Sequence, residues 1–370
     1  RGCMGKPVIL VAGARPNFMK LAPVEKALKK NKVEYIVVHT GQHYDDEMSD
    51  IFFRHLGIDI PEINLGVGSG SHAIQTAKIM TSFEEVCNIH SPEMVIVFGD
   101  VNSTIACALV AKKRSISVAH VESGLRSGDQ NMPEEINRIL TDHISDMLFA
   151  TSESAVSNLK KEGISSEKIF FVGNVMIDTL LSNMIKIEKN KTLEELSLVP
   201  GEYDLVTLHR PSNVDNREQF ISILNALNGK NFNQKIVFPM HPRTKNSLKK
   251  FELTMLIEAE KFIITPPVGY HSFIKLVSKS RSIWTDSGGI QEEASILGIP
   301  CFTLRENTER PITLALGTNT LINPGLESIA RASTSLKELD FNNYQGRKIP
   351  LWDGNAAERI VKEIMNHLGD

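Results

Sequence analysis

Ser282-Ile-Trp-Thr-Asp-Ser-Gly-Gly-Ile-Gln-Glu-Glu-Ala-Ser-Ile-Leu-Gly-Ile-Pro300 reads as a strand, a Ser-Gly-Gly turn and a helix, with a second apolar run, Cys301 to Leu304, directly after it. Ile290, Ala294 and Leu297 recur at helical spacing and supply a buried face; Gly298 reads as the C-terminal stop, and Pro300 bars continuation. Strand, crossover helix and strand in immediate succession make a βαβ unit, which requires a parallel sheet. The helix start has its own chemistry. Its first N–H groups lack intrahelical partners, and the aligned peptide dipoles place about half a positive charge there. Gly288 and Gly289 carry no Cβ to block an approaching anion, and Ser287 is expected both to cap the helix and to donate to an anion's oxygen. Glu292 and Glu293 follow within the next turn, where a carboxylate can accept from vicinal ribose hydroxyls. An ordinary capped helix satisfies the same pattern, so the segment decides fold before function.

The same alternation runs outward in both directions. Val8 to Ala12, Tyr35 to His39, Met94 to Phe98 and Val118 to Val121 read as strands, with helices near 17–30, 44–56, 71–89, 102–114, 134–146 and 152–162. Beyond a Lys/Glu-rich helical stretch around 176–196, strands are expected at Leu205 to Leu208, Lys235 to Pro239, Phe262 to Ile264, Ser282 to Thr285 and Cys301 to Leu304. The fold class is α/β, with two doubly wound Rossmann-like domains facing a cleft. Residues 1–175 are expected to form the first domain, joined by a C-terminal helix within 353–370, and residues 176–352 the second. The boundary falls near Gly173 to Asp178.

A chain of 370 residues can bury two cores. Its net charge of -3 gives no basic footprint, which argues against nucleic acid as a partner. No apolar run approaches the roughly 20 residues that span a bilayer, and no long apolar leader precedes the first strand, so no membrane partner and a cytoplasmic location are expected. Arg1-Gly-Cys-Met4 reads as an extension ahead of that strand. Cys3, Cys87, Cys107 and Cys301 have no C-x-x-C spacing, and the histidines have no ligand spacing, so neither a disulfide framework nor a metal is indicated. Gly66-Val-Gly-Ser-Gly70 does not join a strand to a helix as a dinucleotide fingerprint does, and no Walker A or G-x-S-x-G motif occurs.

Ligands of open parallel sheets bind beyond the carboxyl ends of the strands. Those ends here carry Gly13-Ala-Arg15-Pro-Asn-Phe-Met-Lys20, Thr40-Gly-Gln42-His43, Gly99-Asp100, Glu122-Ser-Gly-Leu-Arg126, His209-Arg210, His241-Pro-Arg243 and Asp286-Ser-Gly-Gly289. Asp100 and Glu122 end what should be neighbouring strands, and Glu134 opens the helix just downstream. Three converging carboxylates would raise one another's pKa and so divide into an acid and a base. Asp100 also suits a cap for the helix near Asn102, and Glu134, after Pro133, suits a simple first-turn charge. Arg15, Lys20, His209, Arg210 and Arg310 supply the cations that a pyrophosphate needs, with Arg matching two phosphate oxygens at once.

Taken together, Gly-Ala-Arg15-Pro-Asn-Phe-Met-Lys20, His39-Thr-Gly-Gln42-His43, Gly99-Asp100, His120-Val-Glu122-Ser-Gly-Leu-Arg126, Met132-Pro-Glu134-Glu-Ile-Asn-Arg138, His209-Arg210, Asp286-Ser-Gly-Gly-Ile-Gln-Glu-Glu293 and Thr308-Glu-Arg310-Pro resemble the successive signature blocks of the non-hydrolysing UDP-N-acetylglucosamine 2-epimerases. The resemblance implies a GT-B-like fold, a UDP-sugar substrate, no cofactor and a homodimer. It implies that Ser287, Gly288 and Gly289 bind phosphate, Glu293 the ribose, Phe273 the uracil region, and Arg15, Lys20, His209 and Arg310 the diphosphate. Asp100, Glu122 and Glu134 would form the acid/base group, with His209 assisting departure of UDP. Gln42, His43, Glu135, Arg210 and His241 match places where some relatives hold a second, activating substrate molecule, and Gln42 is also placed by the resemblance among the residues that bind the substrate itself. Ile74 stands where such relatives carry Arg, and Ser123 where alanine is common. Three neighbouring readings remain open at this point: a hydrolysing epimerase or one acting on a diacetamido uronic acid nucleotide, a GT-B glycosyltransferase, and a nucleotide-sugar-binding module without turnover.

Overall fold

The computed structural model describes residues 6–41, 53, 56–229, 232–336 and 348–369, apart from the side chain of Arg15. The expected helix at 44–56 therefore lies almost wholly outside the described residues. Two compact units divide the chain: residues 1–182 with 350–370, and residues 183–349.

The first unit is built on seven parallel strands: β1 (Val8–Ala12), β2 (Tyr35–His39), β3 (Ile63–Asn64), β4 (Met94–Phe98), β5 (Ser117–Ser123), β6 (Met147–Ala150) and β7 (Ile169–Phe171), in the order β3-β2-β1-β4-β5-β6-β7. β1 and β4 are apolar at every position because both of their faces are covered, as parallel strands require. Around them run α1 (Arg15–Lys30), α2 (His72–His90), α3 (Asn102–Lys113), α4 (Pro133–Ile144), α5 (Glu153–Lys161) and α6 (Val175–Glu188). The second unit repeats the plan with six parallel strands, β8 (Tyr203–Thr207), β9 (Lys235–Pro239), β10 (Phe262–Thr265), β11 (Ser282–Thr285), β12 (Cys301–Leu304) and β13 (Asn319–Ile322), in the order β10-β9-β8-β11-β12-β13. Its longer helices are α7 (Arg217–Asn228), α8 (Pro242–Lys250), α9 (Tyr270–Lys279), α10 (Gly288–Leu297) and α11 (Leu326–Ser335). Trp284 stacks on Phe302 at 4.3 Å between ring centroids and meets Phe232 edge-on at 4.9 Å, which anchors β11 and β12 in that core.

In both sheets the strand order reverses between the first and fourth strands, β1 and β4 in one, β8 and β11 in the other. Connections leave such neighbours in opposite directions and open a crevice at their carboxyl ends.

Three expectations are corrected by these elements. The helix expected over 176–196 ends at Glu188 and resumes as a single turn, Thr192–Glu195. Asn190 causes the break, its side chain accepting from the Thr192 amide at 3.0 Å and from the Thr192 hydroxyl at 2.5 Å. The strand expected at Val118 to Val121 extends over Ser117–Ser123, and four strands absent from the sequence reading, β3, β6, β7 and β13, complete the sheets.

The chain returns to the first unit at its far end, where α12 (Ala356–Leu368) packs on α1. Asp178 of α6 accepts from the Ala356 and Ala357 amides at 3.2 and 2.7 Å, which satisfies the start of that helix. Trp352 donates to the Thr151 carbonyl at 2.8 Å, and Arg359 to that of Val172 at 3.0 Å. Among the described residues no helix is long and apolar enough to cross a membrane.

Candidate active site

The β1 and β4 ends are laced together by Asn17. Its Oδ1 accepts from the Gly13 and Ala14 amides at 3.2 and 3.1 Å, and its Nδ2 donates to the Phe98 carbonyl at 2.9 Å. Gly13 has to be glycine, since a Cβ there would lie 2.0 Å from Ser103 Oγ. One turn along α1, Lys20 donates from Nζ to Glu122 Oε1 at 2.7 Å, with both side chains buried. Glu122 sits where the β5–β6 register shifts, and its φ is +71°. Left-handed backbone at a residue with a Cβ costs about 1–2 kcal/mol, and such strain concentrates at functional sites. The bend turns the carboxylate off the strand and onto Lys20. Beneath it the buried His120 ring lies 2.7 Å from Asp142 Oδ1 and 2.7 Å from the Gly99 carbonyl, so β5 holds the backbone that presents Asp100.

Asp100 is paired with Arg138 of α4, and Arg138 also grips Glu135. Glu135 is buried, and its carboxylate accepts from the Ser127 amide at 3.0 Å and the Gly128 amide at 2.9 Å, pinning the loop before α4. In this structure the Glu135 carboxylate is therefore engaged by its own loop and by Arg138. Glu134 is exposed in the first turn of α4. Glu122 and Asp100 are each in contact with a cation, Lys20 for the first and Arg138 for the second. Lys20, expected on the diphosphate, is the partner of Glu122.

In the second unit, Ser287 takes the N-cap position of α10, but its hydroxyl makes no capping hydrogen bond. The expected side-chain cap is thus corrected: the Ser287 amide donates to Thr285 Oγ1 at 3.0 Å, and the first turn of α10 is not covered by Ser287. Beside it lies Arg310, with Nε 2.9 Å from Glu292 Oε1 and Nη1 2.8 Å from Glu309 Oε1, while Arg305 Nη2 holds the other oxygen of Glu309 at 2.9 Å. Gly288 makes room for this guanidinium, since a Cβ would come within 2.7 Å of Nη1. Burial tends to raise the Glu309 carboxyl, but Arg310 and then Arg305 outweigh it and hold it well below the usual range. Glu292 is taken by Arg310. Glu293 is buried on the same helix, and burial, then the neighbouring Glu292, push its carboxyl up to about 8 against a smaller pull from the Tyr270 hydroxyl.

At the end of β8, His209 places Nδ1 2.9 Å from Asp286 Oδ1. The His241 ring lies 5.4 Å from that of His209, and its Nδ1 accepts from the Arg243 amide at 3.2 Å as the N-cap of α8. Burial, then His209 and Arg243, keep the His241 imidazole below its ordinary value. Arg210 donates from Nε to the Asp286 carbonyl at 2.9 Å. Phe273 is half-buried on α9 and packs against the core beneath it. Gln42 and His43 lie outside the described residues, as does the side chain of Arg15.

Within the second unit the structure thus gathers His209, Arg210, His241, Ser287, Gly288, Gly289 and Arg310 at strand ends around the crevice of β8 and β11. Within the first it gathers Lys20, Asp100 and Glu122 around that of β1 and β4. Sequence reasoning missed roles for Asn17, Arg138, Asp286 and Glu309. Each stands inside a quoted block, and the i, i+3 spacing of Glu135 and Arg138 was the one local signal.

Paired parallel sheets of this order, one crevice lined by carboxylates and the other by a helix start with Arg and His, define an α/β protein of the GT-B-like class. A profile of the UDP-N-acetylglucosamine 2-epimerase family matches residues 26–365. The chain belongs to that family and is an isomerase. The UDP-N-acetylglucosamine 2-epimerase of Methanocaldococcus jannaschii is 44% identical over 95% of this chain and 97% of its own length. The UDP-2,3-diacetamido-2,3-dideoxy-D-glucuronate 2-epimerase of Pseudomonas aeruginosa is 39% identical over 98% and 99% respectively. A crystal structure of the M. jannaschii UDP-GlcNAc 2-epimerase in complex with UDP-GlcNAc and UDP matches with a TM-score of 0.90 at 43% identity, covering 97% of this chain and 99% of that one.

Proposed function

We propose that this chain interconverts UDP-N-acetylglucosamine and UDP-N-acetylmannosamine by eliminating UDP and adding it back. The observation that carries the reading is the buried Lys20–Glu122 pair, set on strained backbone at the β5 end, in a chain 44% identical to an enzyme of that name. The C2 proton of the sugar has no adjacent carbonyl to acidify it. Breaking the C1–O bond first, with its electron pair leaving on the UDP oxygen, gives C1 cationic character that does. A carboxylate then takes the C2 proton as the C1–C2 double bond forms, leaving a 2-acetamidoglucal and UDP. Return of a proton to the opposite face and re-addition of UDP at C1 give the epimer. Asp100, Glu122 and Glu134 are the groups proposed to move these protons. Ser287, Gly288, Gly289, Arg310 and His209 are proposed to hold the diphosphate as its charge grows.

Incubation with UDP-N-acetylglucosamine in deuterated water tests this. Epimer carrying deuterium at C2 is the expected product, whereas free N-acetylmannosamine would identify a hydrolysing enzyme, and sugar transfer to an added acceptor a transferase. The P. aeruginosa relative favours a second reading, a diacetamido uronate nucleotide as substrate. A higher kcat/KM for that sugar in the same assay selects it.

Glu293 is proposed to accept both ribose hydroxyls, and its buried carboxyl gives that contact a pH signature. Held at about 8, it is mostly protonated in the free protein at neutral pH, whereas accepting two hydroxyls favours the ionised form. UDP binding should therefore release a proton near neutrality, and apparent affinity should rise from about pH 6.5 to about pH 8.5 before levelling. Calorimetry at pH 7 in buffers of different ionisation enthalpy reads the proton directly. Identical heats in all buffers would remove Glu293 from the ribose.

A further inference from the structure

We propose that Asp286 is a positioning residue for His209, fixing the imidazole as its Nδ1–H tautomer so that Nε2 is the atom presented to the diphosphate. The proposal rests on the reading of His209 given above and adds to it the group that sets which nitrogen works. Asp286 follows directly on β11, is fully buried, and collects donors from the segment that follows the neighbouring strand β8. Its oxygens accept from the His209 amide at 3.1 and 3.0 Å, the Arg210 amide at 2.9 Å and Asn213 Nδ2 at 3.1 Å. Those three groups can only donate, so the carboxyl that meets them is ionised. His209 Nδ1, 2.9 Å from Oδ1, then faces an acceptor and must carry its hydrogen. The imidazole is left partly exposed, and among the described residues Nε2 makes no hydrogen bond.

Two consequences follow from a fixed tautomer. The neutral ring offers a lone pair at Nε2 and takes up a proton there, and the imidazolium so formed keeps its ion pair with Asp286. In that state Nε2–H can donate to a phosphate oxygen while the C1–O bond breaks, and the proton stays on Nε2 until UDP adds back. The charges facing His209 are Asp286 from β11, Arg210 from its own segment and His241 from the start of α8. Asp286 opposes the Arg210 guanidinium, in the manner of the buried Asp of a Ser-His-Asp triad, while burial favours the neutral form of His241.

Asp286→Asn turns one accepting oxygen into a donor. With the remaining oxygen kept by the Arg210 amide and Asn213, the new NH2 faces Nδ1 and forces the Nε2–H tautomer. The expected result is a fall in kcat of about 10²–10⁴-fold with KM and the thermal midpoint near wild type, since the corresponding change in a triad costs about 10⁴-fold. Long-range 15N–1H spectra of the two proteins with UDP bound should show His209 changing from Nδ1–H to Nε2–H. Unchanged kcat in the folded variant overturns the proposal. Should the variant not fold, the wild-type spectrum decides alone: an Nε2–H tautomer for neutral His209 overturns the proposal, and Nδ1–H supports it. His209→Ala separates the two levels. Full activity in that variant overturns the role of His209 itself, whereas an inactive His209→Ala beside a fully active Asp286→Asn overturns only the role of Asp286.

Discussion

Glu122→Gln is expected to lower C2 exchange by about 10²–10⁴-fold, the range a positioned acid/base group contributes, with UDP affinity little changed. The magnitude follows from its setting. The glutamine oxygen can still accept from Lys20 Nζ, so the hydrogen bond of that 2.7 Å contact is kept while the negative charge and the ability to take a proton are lost. Glu122→Ala removes the hydrogen bond as well, and because breaking a buried pair costs about 3–5 kcal/mol, the alanine variant should be the less stable of the two. Deuterium uptake at C2 and a thermal melt on the two variants separate these effects. A Glu122→Gln enzyme exchanging at the wild-type rate would move the chemistry elsewhere.

Arg310→Ala is expected to reduce UDP affinity by about 10–100-fold, the equivalent of about 1.5–3 kcal/mol for a hydrogen bond to a charged group. It should also weaken the second unit, because Glu292 and Glu309 are buried around that guanidinium. Glu309 gives the loss a direction on the pH axis. Its carboxyl is held below the usual carboxylate range in the folded protein, so the stability it contributes is present above about pH 4.5 and is lost as pH falls further. Without Arg310 that depression shrinks to what Arg305 sustains, and the acid side of the stability profile should flatten. Urea unfolding of wild type and variant at neutral and acid pH measures both slopes. Parallel slopes would mean that the Arg310–Glu309 pair does not carry the effect.

The sheets were legible in the sequence wherever both faces of a strand are covered. Val8–Ala12 and Met94–Phe98 are buried at every position, and an unbroken apolar run is what that demands. β3 and β13 were not legible because they are sheet edges, the first of two residues and the second including exposed Thr320 and half-buried Leu321 and Ile322. At the site, the Ser-Gly-Gly turn and the strand-end acids stood out because their local context is unusual. Their pairings did not. Lys20 reaches Glu122 across 102 residues, Asp286 meets His209 across 77, and Arg138 meets Asp100 across 38, separations at which no periodicity speaks. Ser287 shows the converse error: its residue type suits capping, yet its hydroxyl does not cap.

The return of α12 to the first unit sets an order on how the molecule is made. A nascent chain emerging from the ribosome has every strand of the seven-stranded sheet available once residue 171 is out, yet the seat of Ile360, Val361 and Ile364 stays empty until the whole second unit has been synthesised. The Asp178 contacts with Ala356 and Ala357 close loops of 178 and 179 residues, so the first sheet to be translated is the last to be sealed. For that interval the unit that carries Glu122 shows a bare apolar strip beside α1, where holdase chaperones would engage it, while residues 183–349, continuous in sequence, can reach their own native packing first.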